Sequence, residues 1–230
     1  MASTVMPSPT FFPRRINMFV EGMQFADEVN CNGPTRVPFG QPIAAVATNI
    51  FNASALNAGA VTTLDGTGVQ NAQLIDAPWG RVLQVTASTT NTTVVSIYGA
   101  DYLGQNIRED VTMASTGAVL TKKAFKYVDT VVCPANAGTF SMGYGAGLGL
   151  PYKTLRVEYE VANGLAVAAG TLVAAVLTDP QTATTGDPRG TYTPTTALNG
   201  VNVISVVADC VNDVNTLYHG GLHGVKQFAA

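Results

Sequence analysis

Apolar and polar residues alternate with a period of two along the segment from Tyr152 to Val161. Leu155, Val157, Tyr159 and Val161 fall on one side, and Thr154, Arg156, Glu158 and Glu160 on the other. Successive side chains of an extended chain point to opposite faces. The spacing therefore predicts a half-buried strand, with the apolar set in the core and the two glutamates facing solvent or a partner. Residues 81–86, 93–98, 124–132 and 201–208 are rich in β-branched and aromatic residues and are predicted strands as well. Turn signals separate them at Asp65-Gly66, Gly99 to Gly104, Asn163-Gly164, Gly186 to Gly190 and Asn199-Gly200. Asn163-Gly164 and Asn199-Gly200 suit type I′ hairpins, because both central positions need a positive φ. Helical periodicity is weak. The Ala-rich stretch from Gly164 to Val176 is the one place for a short helix, and its glycines and valines oppose it. Many short strands and frequent turns predict an all-β chain, a β-sandwich or jelly-roll-like domain over residues 43–230.

Residues 1–42 read differently, as an extended N-terminal arm. Prolines at positions 7, 9, 13, 34, 38 and 42 interrupt regular structure repeatedly. Yet the arm carries Phe11, Phe12, Ile16, Met18, Phe19, Met23, Phe25 and Phe39, and disordered tails are poor in aromatics. It is suited to lie along a surface, its own domain's or a neighbour's. Phe11, Phe12, Arg14, Arg15 and Phe19 are its candidate assembly contacts.

Charge changes the picture next. Charged residues make up 12% of the chain, about half of the roughly 25% usual in soluble domains. A surface so poor in charge suits coverage by neighbours better than free solution. The net charge of −3 sets up no field toward nucleic acid, which is not an expected partner. The one dense basic cluster, Lys122, Lys123 and Lys126, reads as a solvated strand edge, where charge protects an exposed edge. Cys31, Cys133 and Cys210 are far apart and odd in number, the pattern of small buried thiols in a reducing compartment. Met1 to Thr10 lacks the basic region and apolar run of a signal peptide, and no apolar stretch has the length of a membrane-spanning helix. Synthesis in a cytoplasm without membrane association is expected.

Chemistry-bearing motifs are few. Gly143, Gly145, Gly147 and Gly149 are spaced GxGxGxG and run into Pro151 instead of opening a helix, so they predict a closely packed or flexible loop, not a phosphate cradle. His219 and His223 flank Gly220, Gly221 and Leu222, which do not hold a helix, and no acidic third ligand accompanies them. Glu158 with Glu160 is the best carboxylate pair, and its strand places it outside the core. Adjacent Glu109 and Asp110 point to opposite faces of any strand. The sequons at Asn52 and Asn91 carry little weight without an export signal. No catalytic, metal or cofactor residue is assigned.

Two stretches carry a resemblance. Tyr98-Gly99-Ala100-Asp101-Tyr102-Leu103-Gly104-Gln105, then Arg108-Glu109-Asp110-Val111, then Lys122-Lys123-Ala124-Phe125-Lys126-Tyr127-Val128 resembles a recurring pattern of phage structural proteins: a G-x-D-x-x-G turn, a short acidic strand and a K-K-A-F-K strand. Thr184 to Pro194 is similar to their T-G-D-x-R-G-T-Y-x-P segment, and Gly224-Val225-Lys226-Gln227 to their terminal G-V-x-Q. With Gly149-Leu150-Pro151-Tyr152, these pieces span roughly residues 80–230. The resemblance implies a tailed-bacteriophage virion protein, foremost a capsid decoration or cement protein on the outer face of the head. Its implied partners are the major capsid protein and itself, as homodimer or homotrimer. A tail, neck or baseplate protein is the alternative within the particle; a glycan-binding or glycan-cleaving β protein is the alternative of another class, for which Trp79 is the sole tryptophan. In the matching segments Asp101, Lys122, Lys123, Asp187 and Arg189 are candidate assembly contacts. Asp101 caps its turn, and Arg189 suits a bidentate pair with a carboxylate, within one subunit or across a boundary.

Overall fold

The computed structural model describes residues 33–55, 59–61, 64, 66–87, 93–113, 117–133 and 139–210. These residues form sixteen strands and no helix. In chain order the first eight are β1 (Gly33–Gly40), β2 (Val46–Ala55), β3 (Gly59–Val61), β4 (Val69–Gln70), β5 (Gln73–Leu74), β6 (Arg81–Ala87), β7 (Val94–Ala100) and β8 (Asn106–Thr112). The rest are β9 (Ala118–Phe125), β10 (Tyr127–Cys133), β11 (Thr139–Gly149), β12 (Thr154–Ala162), β13 (Leu165–Val167), β14 (Thr171–Val173), β15 (Thr191–Thr193) and β16 (Ile204–Cys210). The fold is all-β, and the strands of the described residues pair antiparallel throughout.

Three sheets enclose two cores. A central sheet runs β14-β15-β11-β6-β9, with β2 also on β11. A facing sheet runs β4-β5-β10-β7-β8, with β3 on β10. Their inner rows interdigitate: Phe51, Leu83, Val85, Phe140 and Met142 from one meet Val95, Ile97, Ile107, Val128 and Val131 from the other. Phe51 and Phe140 rings lie 4.8 Å apart, tilted, within the range where aromatic pairs attract. A terminal sheet, β1-β16-β12-β13, packs Val37, Phe39, Ile204, Val206 and Ala208 on Leu148, Leu150 and Tyr192. β11 is eleven residues long and contributes to both cores, which makes it the spine of the molecule.

Several local expectations are met, and others are corrected. Asn163 and Gly164 have φ of 50° and 86° and close the β12–β13 hairpin. Asn199-Gly200 closes no hairpin: the Asn199 side chain accepts from the amides of Val201 and Asn202, and only Gly200 has positive φ. The Ala-rich stretch holds β13 and β14, not a helix. The strand expected over 124–132 is two strands, because the chain turns at Lys126 and passes from the central sheet to the facing sheet. The described end of the N-terminal arm, β1, is an edge strand of the terminal sheet paired along β16. Its prolines Pro34 and Pro38 are exposed, as an edge strand allows. The boundary drawn at residue 42 therefore falls beyond a strand that belongs to the β domain.

The glycine run is strand β11, not a loop. A Cβ on Gly143 would stand 1.7 Å from the carbonyl oxygen of Val46. The register of β2 on β11 slips on both sides of Met142, so the two backbones approach more closely than side chains permit. Gly143→Ala is expected to lower the unfolding free energy by about 1–3 kcal/mol. The readout is a lower urea midpoint at unchanged slope; an unchanged midpoint would mean that β2 moves aside freely.

The largest correction concerns β12. Leu155 is 59% exposed and Tyr159 41%, whereas Glu160 and Thr154 are buried. The pairing with β16 shifts between Thr154 and Arg156 and again between Val157 and Tyr159. Each bulge inserts one extra residue and breaks the period of two. Thr154, Val157 and Glu160 thereby turn inward, while Leu155, Arg156, Glu158 and Tyr159 remain on the outer face.

Candidate functional site

The sequence segments singled out above meet in a buried polar junction between the three sheets. Asp101 follows β7 and closes its turn. One carboxylate oxygen accepts from the amides of Leu103 and Gln105, both at 2.9 Å, and Gly104 takes φ of 78°. The other oxygen accepts from Nη2 of Arg189 at 2.9 Å, and both side chains are 2% exposed. The guanidinium lies over the Tyr102 ring, 5.1 Å from its centroid, a cation–π contact strengthened by burial. Tyr102 donates to the carbonyl of Pro151 at 2.7 Å. Burial pushes its hydroxyl up to about 12. Trp79 meets the same ring edge-on at 5.3 Å and donates to the carbonyl of Pro38 on β1 at 2.8 Å.

Asp187 holds the other side of this junction. Its carboxylate accepts from the amide of Arg189 at 2.8 Å and from the amide of Ala124 on β9 at 3.1 Å. Burial is the larger influence and raises its pKa above the usual carboxylate range, against Arg189 and the two amides.

A second cluster joins the edges of the facing and central sheets. Glu109 on β8 accepts from the amide of Lys122 at 2.6 Å and of Lys123 at 2.9 Å. Burial raises its pKa to about 7, opposed by those amides and by the Lys123 charge. The Lys123 ammonium donates to the carbonyls of Pro180, Thr182 and Arg108 at 2.8, 2.9 and 3.4 Å. Burial lowers its pKa, against Glu109 and Asp187. Lys122 reaches the carbonyl of Thr184 at 2.8 Å. Asp110 points the other way, as two neighbours on a strand must, and accepts from Arg108 and Ser96. The loop over 174–190 is thus tied down by Lys122, Lys123 and Asp187.

The terminal sheet has its own buried carboxylate. Glu160 accepts from the Tyr192 hydroxyl at 2.8 Å and from the amides of Thr195 and Thr196. Arg81 is fully buried against Asp76 and Tyr144.

Asp101, Lys123, Asp187 and Arg189 were expected at assembly contacts, and the fold places all four inside the subunit. The Arg189–carboxylate pair forms within one chain, through Nη2 to Asp101. The basic cluster is not a solvated edge: Lys123 is buried, and Lys126 donates to the carbonyls of Leu74 and Ala77. Of the candidates in these segments, Lys122 alone is exposed. Phe11, Phe12, Arg14, Arg15 and Phe19 lie outside the described residues, as do Cys31, His219 and His223. Cys133 and Cys210 are buried. Sequence reasoning missed Glu160, because only the bulges bring it inward. It also missed the pairing of Arg81 with Asp76, for which no motif stands.

Among the described residues, no group of three His, Cys, Asp or Glu side chains is placed to hold a metal ion, and no helix is long and apolar enough to cross a membrane. The acceptors of the junction bind backbone amides, a guanidinium and an ammonium, so its chemistry is that of a tie between segments. No protein-family model, no curated protein and no solved structure matches the chain.

Proposed function

We propose that this chain is a non-enzymatic structural protein of a tailed-phage particle, a decoration protein bound to the outer face of the head and to the major capsid protein. One observation carries the reading beside the resemblance. The separate segments on which the resemblance rests, residues 98–111, 122–128 and 184–194, converge on a single internal joint. Asp101, Glu109, Lys123, Asp187 and Arg189 each hold another segment of the joint. Their order along the chain therefore has a common physical cause. The low charge of the sequence supports coverage by neighbours. A decoration protein stabilises its shell by mass action, since it binds the assembled state.

Quantitative mass spectrometry of purified virions tests this. A copy number of the same order as the major shell protein is expected. A far lower number would move the protein to the tail, neck or baseplate. Complete absence from virions would overturn the particle reading in favour of a glycan-directed β protein.

A further inference from the structure

The outer strip of β12 has an internal symmetry of residue types. Its two bulges set Leu155 beside Arg156 and Glu158 beside Tyr159 on the outer face, with Val157 turned inward between them. From either end the strip reads apolar, charged, Val157, charged, apolar, and the two charges are opposite. All four side chains are accessible: Leu155 and Tyr159 are exposed apolar residues, and the Arg156 and Glu158 side chains are 68% and 34% exposed. The backbone beside this strip is open too. β13 pairs with β12 only from Glu160 to Ala162. Along Leu155 to Tyr159 the described residues pair with β12 on the β16 side alone.

We propose that this strip is the contact of a homodimer, in which two copies lie antiparallel along β12 about a two-fold axis at Val157. Leu155 then faces Tyr159 of the partner subunit, and Arg156 faces Glu158 of the partner subunit. The same two contacts recur on the other side of the axis, as a self-complementary interface requires. Opposite charges directly across neighbouring strands stabilise, and like charges repel. A parallel alignment would set Arg156 against Arg156, so the charge order selects the antiparallel one. Within each copy Asp209 accepts from Arg156 at 2.8 Å and holds the guanidinium in position while its second contact changes from its own Glu158 to the facing one. Bulged edges resist open-ended strand addition, and a two-fold contact uses the strip on both copies, so assembly closes at two. The inference is independent of the shell reading, because the dimer forms in free protein.

Sedimentation equilibrium of the full chain tests it. The native protein is expected to be a dimer. Arg156→Glu gives each strip two acids, and Glu158→Arg gives it two bases. Each variant alone is expected to self-associate about a hundredfold more weakly, because like charges now face each other on both sides of the axis. An equimolar mixture of the two is expected to recover a heterodimer, because the unlike strips are complementary again. Circular dichroism checks that each variant is folded; if Arg156→Glu is not, Leu155→Asp takes its place and is expected to be monomeric. A native chain that is monomeric or trimeric, a folded single variant that dimerises like the native chain, or a mixture that stays monomeric would overturn the proposal.

Discussion

Replacing Arg189 with alanine is expected to lower the unfolding free energy by about 3–5 kcal/mol. The guanidinium is the charge partner of Asp101, and neither side chain is more than 2% exposed. Without it, the carboxylate keeps its two turn amides but stays buried without the guanidinium charge beside it. The Tyr102 ring also loses the cation packed over it. Arg189→Lys should recover little, because a compact ammonium does not stack on the ring or span the same distance. The double variant Arg189→Leu with Asp101→Asn should be more stable than Arg189→Ala alone. It removes the Asp101 charge together with the guanidinium that paired it, and the asparagine oxygen still accepts from Leu103 and Gln105. Urea unfolding followed by fluorescence is a direct readout, since the sole tryptophan, Trp79, packs against Tyr102. A loss below about 1 kcal/mol for Arg189→Ala, the range of a surface pair, would show that the junction does not depend on this ion pair.

The pattern of residues made the fold class legible and much of the site's membership, but not its placement. Turn chemistry was legible where it is local: Asn163-Gly164 and the Asp101 turn depend on φ and on amides a few residues away. Strand faces were legible only where the period of two runs unbroken. In β12 two bulges broke it, and the bulges answer to the register of β16, some fifty residues downstream, which no window along the chain contains. Lysines in a strand read as an edge because solvated lysine is the common case. Lys123 departs from it because the loop over 174–190 brings carbonyls to its ammonium, again a long-range event. Asp101, Asp187 and Arg189 were found as turn and motif residues. That they meet one another depends on how the sheets stack.

Glu109 gives the junction a pH dependence with a definite sign. In the unfolded chain its carboxyl titrates near its ordinary 4.5, and burial in the fold raises this to about 7. Between those values the folded state binds the proton more tightly than the unfolded state. Stability is therefore greatest, as far as this group decides it, below pH 4.5 and declines as pH rises through 7. Each pH unit between the two values corresponds to about 1.4 kcal/mol, so the decline is up to about 3 kcal/mol. Asp187, also raised by burial, acts with the same sign from a lower starting pH. Lys123, lowered by burial, acts with the opposite sign at alkaline pH. Glu109→Gln isolates the carboxyl. It should flatten the profile from pH 4.5 to 7 relative to the native chain, while lowering stability at acid pH. The acid-side loss follows because the carboxamide offers one oxygen to two amide donors, those of Lys122 and Lys123, and turns an N–H toward one of them. Urea midpoints measured across this range for both proteins give the difference directly. Parallel profiles would mean that Glu109 stays ionised in the fold, with the two amides and the Lys123 ammonium outweighing its burial.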